Sequence, residues 1–532
     1  MPFNWRSVLS ILATMVLAED LATPVPPPWD DVHVKHAWAT VPADWESLGP
    51  PLAGTTIDLH VALEPSNENA LIDAVYEVST PGHPKKVLSN TSQCTMYLHV
   101  LLICCRYGAH LSKEEVAKLI APHPDTLELV HSWLSHHGLS SSSISMTHGG
   151  SWLKLTGVPV SQANQLLGAS YQVYRGVGAI NSTILRTVGY RLPAVLHAHV
   201  KTVVPTTFFA SIHTPPVGEA AAPANLKVGP RKPATVKDEM TPTRLRWLYN
   251  TFYYVPKATD QNAVGVAGWL DEYPGPADLM KFMWEFRQTT DVNYTVERAN
   301  GGEYDPWHPT REGNLGMQYT QVITYPTPLI YYSTGGNRDF DPSTEQPTSH
   351  DWLFAWLTNV LDQKKIPQTI GAPYGIPEPQ VPPDYATTLC ALFLELAGRG
   401  VSVLFSSGNY GVGVGDCKDD FGKVLFSPHF PASCTYDVLS PFQQYGNAGT
   451  CPNRLPHRRG FAGPWVTSVG GTRGIVPEVA AEFSTGGFSI HFPRPDYQEV
   501  AVSPFLQRLG NRYKGLYECV FCQDLTRPIL TR

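Results

Sequence analysis

Val401-Ser402-Val403-Leu404-Phe405-Ser406-Ser407-Gly408-Asn409-Tyr410-Gly411-Val412-Gly413 reads as a buried strand running into a glycine-rich turn. Its apolar part is too short for a helix and is rich in β-branched and aromatic residues, and the glycines mark where it stops. Just upstream, residues 384–398 place Leu389, Leu392, Phe393 and Leu396 on one helical face. Further back, residues 264–270 form a second continuous apolar strand, followed by helical residues 276–287, and residues 349–363 form another helix. Buried strands alternating with helices predict a parallel sheet covered on both sides, with chemistry on loops at the strands' carboxyl ends.

The first part of the chain has a different pattern. Ser112-Lys113-Glu114-Glu115 is a capping box that opens a short helix ended by Pro122. Asp125-Thr126-Leu127-Glu128 opens another, with Leu127, Val130 and Leu134 on one face and Gly138 as its stop. A strand at 151–156, a helix at 161–167 and a strand at 171–174 follow, so residues 30–210 are expected to form a compact α+β sandwich. Residues 211–240 are rich in Pro, Ala and Lys with few large apolar side chains, which predicts an exposed, protease-accessible linker. Residues 86–105 and 435–463 fit neither period and read as insertions.

Composition narrows the class. The chain has 532 residues, 42% hydrophobic and 16% charged, with 48 Pro, 43 Gly and a net charge of −7. That is a globular, loop-rich chain of several domains, with no call for a nucleic-acid partner. No apolar run after residue 18 is long enough to span a bilayer, so no membrane partner is expected. Arg6, the apolar residues 8–17 and Val16-Leu17-Ala18 read as a signal peptide over residues 1–18, which implies secretion. Asn90-Thr91-Ser92, Asn181-Ser182-Thr183 and Asn293-Tyr294-Thr295 are then candidate glycan acceptors. Nine cysteines is an odd number for a secreted protein, and Cys519-Val520-Phe521-Cys522 is a lone pair without the second pair that zinc needs.

The sequence contains no HExxH, no Gly-x-Ser-x-Gly elbow and no GxxxxGK phosphate loop. What remains is Glu312 ahead of Asn314-Leu315 and Gln318-Tyr319, and the turn around Asn409. With these stand Tyr107-Gly108-Ala109-His110-Leu111-Ser112, Ala163-Asn164-Gln165-Leu166-Leu167-Gly168-Ala169, His197-Ala198-His199-Val200, Thr241-Pro242, Leu248-Tyr249-Asn250, Phe430-Pro431-Ala432-Ser433-Cys434, Val469-Gly470-Gly471-Thr472 and Gly486-Gly487-Phe488-Ser489. In this order the set resembles the sedolisin (serine-carboxyl peptidase) family, of the fungal tripeptidyl-peptidase type.

The resemblance implies a subtilisin-like α/β sheet flanked by helices, preceded by an α+β pro-domain. It implies acid-pH hydrolysis of peptide or protein substrates by a Ser-Glu-Asp triad, with a further Asp at the oxyanion and calcium as cofactor. That logic is activated-nucleophile catalysis with a carboxylate in place of histidine. Carried over by position, the base falls on Glu312. The orienting Asp falls on Gly316, which has no side chain to offer, and the oxyanion Asp falls on Asn409, whose amide still donates a hydrogen bond. The nucleophile of the family's Ser-Gly-Thr-Ser motif is absent, and the match stops near Gly515-Leu516-Tyr517. Neither Ser407-Gly408-Asn409 nor Ser333-Thr334-Gly335 substitutes for it, since the resemblance assigns those segments elsewhere.

The expectation is thus a signal at 1–18, a pro-domain at 30–210, a linker at 211–240, a peptidase domain over 241–517 whose sheet is incomplete at its C-terminus, and an unmatched tail at 518–532. The calcium ligands are expected beyond the chain's end, so no metal or other cofactor site is assigned within it. The two insertions and the tail read as translated non-coding sequence or a misannotated gene model, which sequencing the mature transcript tests. A monomer without turnover is expected, with a non-catalytic peptide- or peptidase-binding homologue as the rival. Disulfide pairing is open, with Cys417 to Cys434 the favoured bridge.

Overall fold

The structure is a computed structural model, described here over residues 29–42, 44–80, 107–177, 182–209, 239–292, 294–336, 340, 351–412, 426, 428–434, 465–512 and 516. The expectations for residues 1–18, 86–105, 211–238, 435–463 and 518–532, and for the three glycan-acceptor asparagines, lie outside those residues.

Five strands build the N-terminal half's main surfaces: β1 (Thr56–Leu63), β2 (Ile144–Thr147), β3 (Trp152–Pro159), β4 (Gly189–Pro193) and β5 (Val200–Val204). The order β2-β3-β1-β5 is antiparallel throughout. Helix α1 (Glu68–Ser79) follows β1, and α2 (Lys113–Leu119) opens on the expected capping box, Ser112 and Glu115 each bonding the other's backbone. Helix α3 (Pro124–His136) starts one residue before the expected Asp125, because His123 rather than an acid takes the cap and Pro124 suits the first helical position. Alternation sorts the sheet's two faces. Leu59, Val61, Leu153, Leu155 and Val203 pack with Val130, Trp133 and Leu134 of α3, whereas Ala62, Trp152 and Val204 face the other way.

The C-terminal half carries the expected parallel sheet. Its strands are β6 (Val264–Trp269), β7 (Tyr294–Ala299), β8 (Leu329–Thr334), β9 (Thr369–Ala372), β10 (Ser402–Ser406) and β11 (Thr467–Val469), in the order β7-β8-β6-β9-β10-β11 and parallel at every pairing. Helices cover both faces. Val266 and Tyr331 pack with Leu279 and Met283 of α4 (Pro276–Arg287) and Met317 of α5 (Arg311–Thr324). Their neighbours Ala267 and Tyr332 pack with α6 (Trp352–Asp362) and α7 (Pro383–Gly398). The expected start of α6 at 349 moves to Trp352, where Asp351 caps the helix by accepting from the Phe354 N–H at 3.0 Å.

The favoured bridge Cys417 to Cys434 is corrected: Cys434 is bonded to Cys390, with Cα atoms 5.4 Å apart. Cys390 lies on the fully buried face of α7, against which the segment after Phe430 folds, so helix periodicity rather than sequence nearness selects the partner.

The two halves meet through one apolar cluster. Leu71, Ile72 and Val75 of α1 and Ala62, Trp152 and Val204 of the first sheet pack with Leu389, Leu392, Phe393 and Leu396 of α7. A polar clasp lies in the seam, where Asp384 accepts from the hydroxyls of Tyr190 and of Thr202, the latter at 2.8 Å.

Candidate active site

Helix α5 leads directly into β8, so it runs against the strand direction and its first turn stands at the carboxyl edge of the sheet. Glu312 is in that turn. Asn409 lies three residues past the end of β10 and is at the same edge. Helix α5 packs on β6, and β9 alone lies between β6 and β10, so the supporting strands are about 10 Å apart. The structure therefore brings two of the sequence-selected positions to one rim.

The first turn of α5 is held by the loop after β6. Thr310 Oγ1 accepts from the Tyr273 N–H at 2.8 Å, the Thr310 N–H donates to the Tyr273 carbonyl at 2.9 Å, and Asn314 Oδ1 accepts from the Gly275 N–H at 2.9 Å. Gly313 permits the approach: a Cβ there would stand 2.3 Å from the Tyr273 carbonyl carbon.

Glu312 is largely buried in this crevice, and burial, with the Glu272 carboxylate second, pushes its carboxyl up to about 7. A helix N-terminus favours the anion by up to about 1 kcal/mol, whereas a rise of this size corresponds to about 3 kcal/mol against it, so burial wins. Below about pH 7 Glu312 is mostly a neutral acid, and a neutral carboxyl donates a proton-bearing hydrogen bond instead of accepting a proton. The phenols of Tyr331 and Tyr374 line the same crevice, and burial raises both, with Glu312 and Glu272 adding to it.

Gly316 lies one turn beyond Glu312 in the same helix, where a Cβ would stand 3.2 Å from Val266 Cγ1. The position expected to orient the base holds only backbone packed against the sheet. Asn409 is exposed on its turn. That turn is stitched to the following segment: Tyr410 N–H donates to Thr485 Oγ1 at 3.0 Å, Gly411 N–H to the Phe483 carbonyl at 2.7 Å, and Thr485 N–H to the Gly408 carbonyl at 3.1 Å.

Two groups at this rim carry no sequence motif. His429, 2% exposed, lies under the Asn409 turn with neither ring nitrogen hydrogen-bonded. Glu272 follows β6 and has a buried, unpartnered Oε2. The available signal for Glu272 was its place, an acid just after a buried strand; His429 sits among apolar and turn residues that carry none.

The resemblance also implied calcium. Among the described residues no group of three or more His, Cys, Asp or Glu side chains is gathered as a metal needs, so no step is derived through a metal. Nor is any helix among them long and apolar enough to cross a membrane.

Residues 103–209 match the model of the Pro-kumamolisin activation domain. The chain is 31% identical over 526 residues to a tripeptidyl-peptidase, SED2, of Arthroderma otae, covering 95% of this chain and 78% of that one. It is 30% identical over 529 residues to a probable tripeptidyl-peptidase SED2 of Arthroderma benhamiae, covering 96% and 79%. A Pseudomonas sedolisin solved with two molecules of pseudo-iodotyrostatin aligns with a TM-score of 0.32 at 16% identity, over 49% of this chain and just under two thirds (66%) of that one, which is too loose to assign a fold. On the full-length relatives and the activation-domain match, the chain belongs to the sedolisin family of serine-carboxyl peptidases, as a tripeptidyl-peptidase-like precursor.

Proposed function

We propose that the chain is a secreted, monomeric precursor in the lineage of acid serine peptidases that cleave peptide bonds in tripeptidyl-peptidase fashion, with a subtilisin-like sheet behind an α+β pro-domain, and that the 532-residue polypeptide does not itself turn over peptides. The observation that carries this reading is Gly316: one helical turn from the base position there is no carboxylate, only a Cα packed against Val266. Asn409 at the oxyanion position points the same way. Removing members of such a triad costs several orders of magnitude in rate.

The test is peptide hydrolysis by the expressed chain at pH 3–5, together with labelling by an acyl-transferring probe. No turnover and no serine adduct are expected. An adduct on any serine that disappears in Glu312→Gln would overturn the reading.

A second reading, a non-catalytic homologue that binds peptides or other peptidases, is favoured by the protonation of Glu312. In acid the rim offers a neutral carboxyl and the exposed Asn409 amide, both donors suited to peptide carbonyls, and no general base. Saturable binding of peptide without turnover at pH 4 supports it.

A further inference from the structure

We propose that an exposed aromatic patch built on Trp247, Phe252 and Tyr253 is a docking site for this chain's own proline-rich linker, and that Pro230-Arg231-Lys232-Pro233 is the segment it takes. The inference stands apart from the proposed function, since it uses neither Glu312 nor Asn409.

The patch is held rigid by its own backbone. Helix Pro242–Leu248 ends in a turn that folds the next residues back against it. The Thr251 N–H donates to the Arg246 carbonyl at 2.7 Å and the Asn250 N–H to the Trp247 carbonyl at 3.2 Å, with Asn250 in the left-handed region at φ 54°. The Arg246 guanidinium closes the turn, donating through Nη2 to the carbonyls of Thr251, Phe252 and Tyr254, and it lies 5.3 Å from the centre of the Phe252 ring. The Trp247 and Phe252 rings stack at 4.2 Å, and Tyr253 stands edge-on to both, 5.8 and 5.1 Å away. These rings face outward: Trp247 is 55% exposed and Tyr253 82%, with Tyr249 and Tyr254 exposed beside them. Large aromatic side chains fixed in one contiguous group outside the core mark an interaction surface.

The polar groups of the patch say what it takes. Trp247 Nε1 and the hydroxyls of Tyr253 and Tyr254 have no hydrogen-bond partner among the described residues, so donors are offered between the rings. At one border Tyr249 donates to Glu478 at 2.5 Å, and Glu478 also accepts from Thr472 at 2.7 Å, which fixes a carboxylate there. A proline-rich segment in polyproline II conformation suits this surface. Its pyrrolidine rings pack against aromatic faces, and its carbonyls, free of internal hydrogen bonds, accept from such donors. A basic residue between two prolines complements Glu478.

The chain carries that segment within reach. Pro230 and Pro233 have the spacing that puts two prolines on one side of a helix of three residues per turn. Of the Pro-x-x-Pro stretches in the sequence, this one alone encloses Lys or Arg. The tether to the patch is short. The Met240 carbonyl accepts from the Tyr319 hydroxyl at 2.8 Å, which pins the chain just before helix Pro242–Leu248. Pro233 precedes Met240 by seven positions, at most about 25 Å of extended chain, whereas the helical rise from Thr241 to Trp247 is about 9 Å. A tether of that length holds the motif at an effective concentration in roughly the millimolar range, so a weak contact is enough to keep it docked.

Fluorescence anisotropy of a labelled peptide of residues 226–238, added to the full chain, tests this. A chain carrying Pro230→Ala and Pro233→Ala has an emptied patch and is expected to bind the peptide saturably. The native chain, whose own motif competes, is expected to bind it at least about tenfold more weakly. Trp247→Ala or Tyr253→Ser, added to the emptied chain, should each weaken binding by about fivefold or more. A peptide with alanine at both proline positions should not bind. No binding to the emptied chain overturns the proposal, as does binding that the aromatic substitutions leave unchanged. Equal binding by the native and emptied chains also overturns it, because the linker is then not the occupant. If Trp247→Ala does not fold, Tyr253→Ser decides, since that side chain stands almost wholly in solvent. Hydrolysis assays bear on the proposed function alone and leave this binding untouched.

Discussion

The imidazole of His429 occupies the space that a side chain at Gly408 would need, since a Cβ at 408 would stand 2.5 Å from Nδ1. Gly375 opens the other side, its own Cβ position being 3.0 Å from the His429 Cβ. The ring is thus wedged between the turns that follow β9 and β10, tilted against Tyr410 at 5.3 Å between ring centres.

That wedge predicts acid sensitivity. Burial without a partner pushes the His429 imidazole down to about 4. The folded state therefore holds the neutral ring while the unfolded chain takes up a proton below about pH 6.5. The stability this residue contributes is complete above about pH 6.5 and is lost as pH falls toward 4, by about 3 kcal/mol in all. Urea unfolding at pH 7 and pH 4 should show a smaller pH-dependent loss for His429→Leu than for the native chain. Equal losses would refute the assignment.

Gly408→Ala should destabilise the chain by about 2–4 kcal/mol, combining a backbone at φ +106° with the clash against His429. Adding His429→Ala should relieve the clash and leave the backbone strain. A thermal double-mutant cycle is expected to show coupling of about 0.5–3 kcal/mol. Strict additivity would show that the two residues do not press on each other.

Across the seam, Asp384→Ala should cost about 2–3 kcal/mol, because it removes the acceptor shared by the buried Tyr190 and Thr202 hydroxyls and leaves them only their longer contact with each other at 3.3 Å. Asp384→Asn keeps an acceptor and should cost less. The readout is the melting temperature together with the rate of tryptic digestion within residues 107–209. Unchanged digestion in Asp384→Ala would mean that the clasp does not hold the N-terminal half.

Reducing the Cys390–Cys434 bridge should lower stability by about 4 kcal/mol on the chain-entropy model for a separation of 44 residues. Peptide mapping under non-reducing conditions should recover the linked pair. A linked Cys417–Cys434 peptide would contradict the structure.

What was legible in the sequence was local. Helix 276–287 and strand 264–269 follow from apolar runs and periods contained in a dozen residues, and the Ser112–Glu115 capping box is read directly. Strand β7 was not, because Thr295, Glu297 and Arg298 give it a largely exposed, polar surface, and only pairing with β8 makes it a strand. At the rim, Glu312, Gly316 and Asn409 were found by likeness to a family. The place of Glu272 at the rim depends on a left-handed turn and a tyrosine from another strand, neither of which leaves a pattern within one segment. The bridge from Cys390 was hidden for the same reason: the buried face of a helix is read from its period, but what folds against that face is not.

The shared seam between the halves has a consequence for processing. Ala62, Trp152 and Val204 are sealed against α7 in one continuous apolar cluster, with Asp384 tied in beside them. Cutting the backbone between residues 209 and 239 would leave these contacts in place. The nicked molecule would remain a tight two-chain complex, so scission and departure are separate events, and a gel that reveals the first says nothing about the second.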